Sequence, residues 1–150
     1  MRKRLNEKAL KIADVILTTS DEGISKFIRA TTTSPISHAM LYVGHCSVID
    51  ATRDGVHSNN TQRLFFKEHN AVFVLRLKEE LPAPAANEIC RYVRERVGSE
   101  YGIIEAGRAW KGLGKRGTSK QFCSRLVAQA YAKSGYNLVK TPISAPPRTY

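Results

Sequence analysis

The sequence predicts a single α+β domain in which an antiparallel sheet packs against a helix that opens on a cysteine. Three observations predict it. The apolar run His38-Ala39-Met40-Leu41-Tyr42-Val43 is followed, after Gly44, by a second strand-like segment, Ser47-Val48-Ile49-Asp50-Ala51-Thr52, and the two read as a hairpin. Behind Cys123, Leu126, Val127, Ala130 and Tyr131 recur at helical spacing, with Gly135 as a stop just past the end. The composition, 150 residues with 42% hydrophobic and 25% charged, gives room for one domain with a real core.

In chain order, residues 1–11 are expected to form an N-terminal helical arm, followed by a strand near 15–18. Ser20 or Asp21 can cap a helix running to Ala30, with Ile24, Phe27 and Ile28 on one face. The polar stretch 31–35 is a loop leading into the His38 strand, where it would lie beside the histidine and line a cleft. After the hairpin come a short strand near Val56, a helical turn over 63–66 and a strong strand over 71–77. Pro82 and Pro84 break the chain, and a helix follows over 85–97 with Ile89, Tyr92, Val93 and Arg96 on related faces. A further helix is expected over 103–111, then the Cys123 helix, and an irregular tail over 141–150. Neither a repeat nor a linker divides the chain, so residues 1–150 are read as one domain.

The hairpin allows a placement by arithmetic. If the arms turn symmetrically at Gly44, facing residues have numbers that total 88, which makes His38 and Asp50 direct cross-strand neighbours on the face shared by Met40, Tyr42 and Val48. A slip of one residue would point the carboxylate the other way. Cys123, expected in the first helical turn, would feel the unpaired amides and the helix dipole, which favour a thiolate, and those amides, its own included, could form an oxyanion hole. A thiolate, an imidazole that takes and returns a proton, and a polar group that orients the imidazole are the three parts of cysteine-nucleophile chemistry. A core histidine, a turn carboxylate and a buried structural cysteine would leave the same residues in the sequence.

Charge and cysteine content narrow the partners. Lysine and arginine total 24 against 13 acids, a net charge of +11, which favours a polyanionic partner. The basic residues are spread over the N-terminal arm, the Arg91-Arg94-Arg96 helix and residues 111–120, without the interleaved aromatics of a base-stacking surface, and the charge by itself does not choose among nucleic acid, anionic lipid and an acidic wall polymer. The three cysteines, Cys46, Cys90 and Cys123, cannot all pair and fit reduced thiols. No transmembrane segment is expected, and the basic N-terminus does not read as a secretory signal, which suits a cytoplasmic enzyme or one delivered by another route. No His or Cys pair has zinc-ligand spacing; His45 and Cys46 with His57 form a weak metal candidate, and no metal or cofactor is expected. Gly112-Leu113-Gly114-Lys115-Arg116-Gly117 matches a dinucleotide fingerprint literally, but it follows an expected helix rather than a strand, so it reads as a basic loop that could admit or orient an anionic substrate.

Together, His38-Ala39-Met40-Leu41-Tyr42-Val43-Gly44, Val48-Ile49-Asp50-Ala51, Tyr101-Gly102 and Phe122-Cys123-Ser124-Arg125-Leu126-Val127 resemble the circularly permuted NlpC-type papain-like hydrolases. The YiiX-like proteins are the nearest in pattern and the lecithin:retinol acyltransferase-like enzymes more distant. The histidine precedes the cysteine, as in that permuted group. Ala13-Asp14-Val15-Ile16-Leu17 echoes the family's Gly-Asp strand opening, with Ala13 where glycine is usual, and Asp50 stands where glutamate or histidine is usual. The resemblance covers roughly residues 12–140. It implies a permuted papain-like fold and acyl transfer from an amide or ester to Cys123, with His38 as base and Asp50 as its orienting partner, and by pointing to such substrates it places an anionic membrane surface above nucleic acid as the partner of the basic charge. It places Tyr101 near the pocket; Ser37, beside His38, and Ser124, beside the nucleophile, complete the candidate substrate contacts. A lipid-directed hydrolase or acyltransferase, a cell-wall peptide amidase and a non-catalytic basic binding module all remain open on the sequence, as does oligomeric state.

Overall fold

The apolar run ending at Gly44 and the segment from 47 to 52 do form a hairpin, and it is the centre of the main sheet. The computed structural model describes residues 2–19, 36–52, 54–99 and 119–138. The strands are β1 (Arg2–Lys3), β2 (Val15–Thr19), β3 (Ile36–Gly44), β4 (Ser47–Thr52), β5 (Gly55–Asn60), β6 (Phe66–Lys67) and β7 (Val72–Leu75). The helices are α1 (Ala83–Arg94) and α2 (Ser119–Lys133). Five strands make one antiparallel sheet in the order β5-β4-β3-β2-β7, and β1 pairs with β6 in a separate two-stranded ribbon. The sheet, with both helices packed on it, is the α+β architecture the sequence predicts.

Period-two alternation gives the sheet two different faces. Val15, Leu41, Val43, Ile49, Ala51 and Val56 join one core with the buried faces of the helices. Those helical faces are Ala86, Ile89, Cys90 and Val93 from α1, an i, i+3, i+4, i+7 stripe, and Leu126, Val127, Ala130 and Tyr131 from α2, two adjacent pairs one turn apart. Ile16, Met40, Tyr42 and Val48 form a second core on the other face, covered by Leu5, Leu10, Leu64, Phe66 and Val72. Burying these stripes stabilises the layers by about 1.5–3 kcal/mol per large side chain.

The hairpin register departs from the symmetric arithmetic. Gly44 faces Ser47, so the loop is the two residues His45 and Cys46, both with positive φ (50° and 57°), the arrangement whose twist suits a two-residue hairpin. Continued regularly, that loop would make facing numbers total 91 and would point Asp50 away from His38. It does not continue regularly. Between Tyr42 and Gly44 the register shifts, Val43 being the extra residue of a bulge, so that Tyr42 faces Val48 and Leu41 faces Ile49, pairs totalling 90. Parity is thereby restored. Asp50 lies on the face of His38 as a diagonal neighbour, not the direct partner that a total of 88 predicts. The Val43 carbonyl accepts from the Arg94 guanidinium of α1 at 2.6 Å, which fastens the bulge to the helix layer.

Other boundaries move for identifiable reasons. The N-terminal arm is not helical: β1 pairs with β6, and only Glu7–Ala9 forms a single 3-10 turn. Glu7 fixes that turn by accepting from the Thr61 hydroxyl at 2.5 Å and the Cys46 thiol at 2.8 Å, a tertiary constraint that outweighs local preference. The expected turn at 63–66 is the 3-10 turn Thr61–Arg63, capped by Asn60. α1 starts two residues earlier than expected because Pro84 fits the first turn of a helix, and it stops at Arg94. Ala13, standing where the related pattern has glycine, has φ 72°. Its carbonyl accepts from the Tyr131 hydroxyl, and Asp14 beside it is 1% exposed and paired with Arg76 at 2.6 and 2.7 Å. The expected helices over 20–30 and 103–111, the loop at 31–35 and the tail at 141–150 lie outside the described residues.

Candidate active site

His38 reaches the site from β3 and Asp50 from β4, and the geometry between them is tight. His38 Nε2 lies 2.5 Å from Asp50 Oδ2. Asp50 is buried, and its other oxygen, Oδ1, is buried with no hydrogen-bond partner among the described residues. The His38 side chain is 24% exposed, so the imidazole is the edge of the pair that meets solvent. Its pKa is pushed up to about 10, first by the Asp50 hydrogen bond and then by one with the Cys123 thiol, against the opposing effect of burial. With Nε2 taken by Asp50, Nδ1 is the ring nitrogen left to face the sulfur.

Cys123 arrives from the helix layer. The β3–β4 ladder ends at Leu41 and Ile49, and beyond it the strands part. The Ala39 amide, directed toward β4 by the alternation of the ladder, finds no strand there and donates to Cys123 Sγ at 3.1 Å. The fully buried cysteine therefore stands in for a strand partner at that amide. The same sulfur bonds the His38 imidazole, so it links the helix layer to the strand that carries the histidine.

One detail of the nucleophile's placement differs from the sequence expectation. α2 begins at Ser119, so Cys123 is its fifth residue and not in the opening turn. By the i to i−4 pattern its amide is committed to the Ser119 carbonyl, which removes it from the donors available to an oxyanion. Residues 119–121 add a turn without an apolar signal, so periodicity could not see it. The amide that does address the sulfur is that of Ala39, and nothing in the residue type of an alanine could have announced it. Thr18, buried and facing His38 across β2, is another neighbour that sequence reasoning missed.

The remaining candidates are less tied to the dyad. Ser124 is partly buried beside Cys123 on α2. Ser37 belongs to β3, but its side chain, like all of Tyr101 and most of the basic stretch 111–120, lies outside the described residues. Among the described residues no group of three His, Cys, Asp or Glu could hold a metal ion. The His45, Cys46 and His57 cluster is dispersed: the Cys46 thiol donates to Glu7, and His57 Nε2 is 3.0 Å from Thr52 Oγ1. A cavity of about 660 Å³, lined in part by Asp14, Arg76, Pro82 and Tyr131, opens at the Ala13 end of β2, the opposite end from Thr18 and His38.

A cysteine on a helix, an imidazole on an antiparallel sheet and the order His before Cys define a papain-like thiol hydrolase of permuted type. The family model for permuted papain-like amidase enzymes, YaeF/YiiX, C92 family, matches residues 10–145, and the chain belongs to that family. No curated protein and no solved structure matches the chain. Membership makes the protein a cysteine peptidase or amidase, and the non-catalytic reading loses its ground.

Proposed function

We propose that the protein cleaves or transfers an acyl group from an amide or ester through a Cys123-His38-Asp50 triad, that its substrates are lipids or other acyl-chain compounds, and that residues 1–150 work as one domain. The observation that carries the triad is the 2.5 Å contact between His38 and Asp50 beside a sulfur already hydrogen-bonded to the Ala39 amide. His38, its pKa pushed up to about 10 by the Asp50 bond first, is the group that takes the Cys123 thiol proton as the sulfur becomes the nucleophile. The sulfur attacks the carbonyl carbon, and a C–S bond forms. On collapse the C–N or C–O bond breaks, and His38 gives its proton to the leaving nitrogen or oxygen. Water or another acceptor then attacks the thioester, His38 taking its proton, and the C–S bond breaks to restore the thiolate. Asp50 holds the ring in orientation and favours its charged form. Ser37, Ser124 and Tyr101 are the proposed substrate contacts.

The lipid preference rests on the net charge of +11 and on the more distant resemblance to lipid acyltransferases. A cell-wall peptide amidase is the second reading, favoured by the amidase description of the family. Purified protein offered a peptidoglycan fragment and a phospholipid panel, with Cys123→Ser as control, separates the two. Turnover of phospholipid only, lost in the control, is the expected result, and turnover of the peptide only overturns the lipid reading. A cysteine-directed probe at neutral pH should label Cys123 in a His38-dependent way. Labelling of Cys46 or Cys90 instead, or labelling unchanged in His38→Ala, overturns the triad.

A further inference from the structure

The β1–β6 ribbon concentrates positive charge at one place on the surface. Arg2 faces Lys67 in register, a like-charge pair of the kind that destabilises a two-stranded ladder. Lys3 and Arg4 flank it, each giving one donor to a neutral carbonyl, Lys3 to Asn70 at 2.9 Å and Arg4 to Gln62 at 3.1 Å. Arg63 and Lys67 are exposed on the other arm of the ribbon. Over residues 2–7 and 61–70 there are five cations and two acids, Glu7, which bonds Thr61 and Cys46, and Glu68. In their midst Phe65 is 51% exposed, with the Arg4 guanidinium over its ring at 5.2 Å.

We propose that this ribbon is a docking surface for an anionic phospholipid bilayer, with Arg2, Lys3, Arg4, Arg63 and Lys67 meeting the headgroups and Phe65 entering the interface. Cations around an exposed aromatic side chain are the pattern of interfacial binding. A single-stranded nucleic acid fits less well, because one face of Phe65 is already occupied by Arg4 and base stacking needs open ring faces in succession. The ribbon also has the right position. Leu5, Leu64 and Phe66 cover the face of the sheet that carries His38 and Asp50, not the helix face. From Lys67 the chain turns through Asn70 into β7, where Val72 pairs with Thr18 and Thr18 with His38. Docking by the ribbon thus turns the imidazole side of the molecule toward the membrane.

The inference deepens the lipid-directed reading but stands on binding alone. Its test is co-sedimentation with phosphatidylcholine vesicles and with phosphatidylcholine vesicles containing phosphatidylglycerol, using Cys123→Ser so that turnover plays no part. Binding is expected only to the anionic vesicles and should weaken as salt rises. The double variant Arg2→Gln/Lys67→Gln relieves the like-charge pair, so it should fold, and its vesicle binding should fall roughly thirty-fold. Arg91→Gln/Lys133→Gln removes the same charge from the helix side and should bind as the parent does. Equal losses in the two doubles would show attraction by net charge alone and overturn the proposal. So would a single-stranded oligonucleotide that binds through the same ribbon residues and displaces the vesicles at equal salt. If the ribbon binds vesicles but the active protein turns over no lipid, the docking inference stands and the substrate reading fails.

Discussion

The two ends of the β3–β4 hairpin are built in opposite ways. At the tip everything is tied: a two-residue loop at positive φ, a bulge at Val43, an Arg94 bond to the bulged carbonyl, and a Cys46 thiol held by Glu7. At the mouth the ladder stops and a strand amide bonds a sulfur instead. The tip decides what the mouth can do. One extra residue at Val43 changes the facing total from odd to even, and only the even register puts the Asp50 carboxylate on the side of His38. The bulge at Val43 lies five residues from His38 and seven from Asp50, and it acts on the pair through the parity it sets.

This contrast can be broken from either end. At the mouth, Cys123→Ala should abolish turnover while leaving a cooperatively folded protein, checked by product formation and thermal unfolding; residual turnover would mean another nucleophile. Asp50→Asn should come next, lowering kcat/KM by on the order of 10²-fold or more as the imidazole loses its partner. Its pH profile carries the sharper sign. His38 is raised to about 10, so the stability and acid function it supplies are complete below its ordinary value near 6.5 and are lost as pH rises through about 10. In Asp50→Asn the alkaline limb of kcat/KM should move to lower pH.

At the tip the effects should be smaller and structural in origin. Gly44 has φ 88°, and a Cβ there would meet Ile12 Cγ2 at 3.1 Å, so Gly44→Ala should lower unfolding stability by roughly 1–3 kcal/mol. Arg94→Ala leaves the buried Val43 carbonyl without its donor and should lose about 1–2 kcal/mol, read by denaturant unfolding. If the bulge sets the parity, activity in these two variants should fall by more than the small unfolded fraction explains; activity unchanged would detach the tip from the site. Smallest is Glu7→Gln. The Glu7 pKa is lowered by its bonds from Cys46 and Thr61, so the stability it contributes is present above the ordinary carboxylate range and lost as pH falls through the depressed value. The variant should lose part of that acid dependence.

How much of this could be read from the chain follows from the same contrast. The α2 stripe was legible because burial on one face writes a period into the sequence, as at Leu126, Val127, Ala130 and Tyr131, and the hairpin arms, buried on both faces, were legible as apolar runs split by Gly44. The pairing of His38 with Asp50 was legible in parity but not in register, since residue counting cannot see a bulge and His45-Cys46 lacks the Asn-Gly signal of its turn. The N-terminal arm misled because its structure depends on Lys67, Thr61 and Cys46, all more than 35 residues away. The Ala39 amide was invisible because a backbone donor has no residue type.

The central claim, a charged imidazole held between Asp50 and Cys123, is tested most directly by titrating the His38 ring protons by NMR in the native protein, Asp50→Asn and Cys123→Ser. The account expects a native midpoint near 10 that falls in both variants, further in Asp50→Asn because that bond is the larger cause. A native midpoint at the ordinary histidine value, unmoved by either substitution, would contradict it.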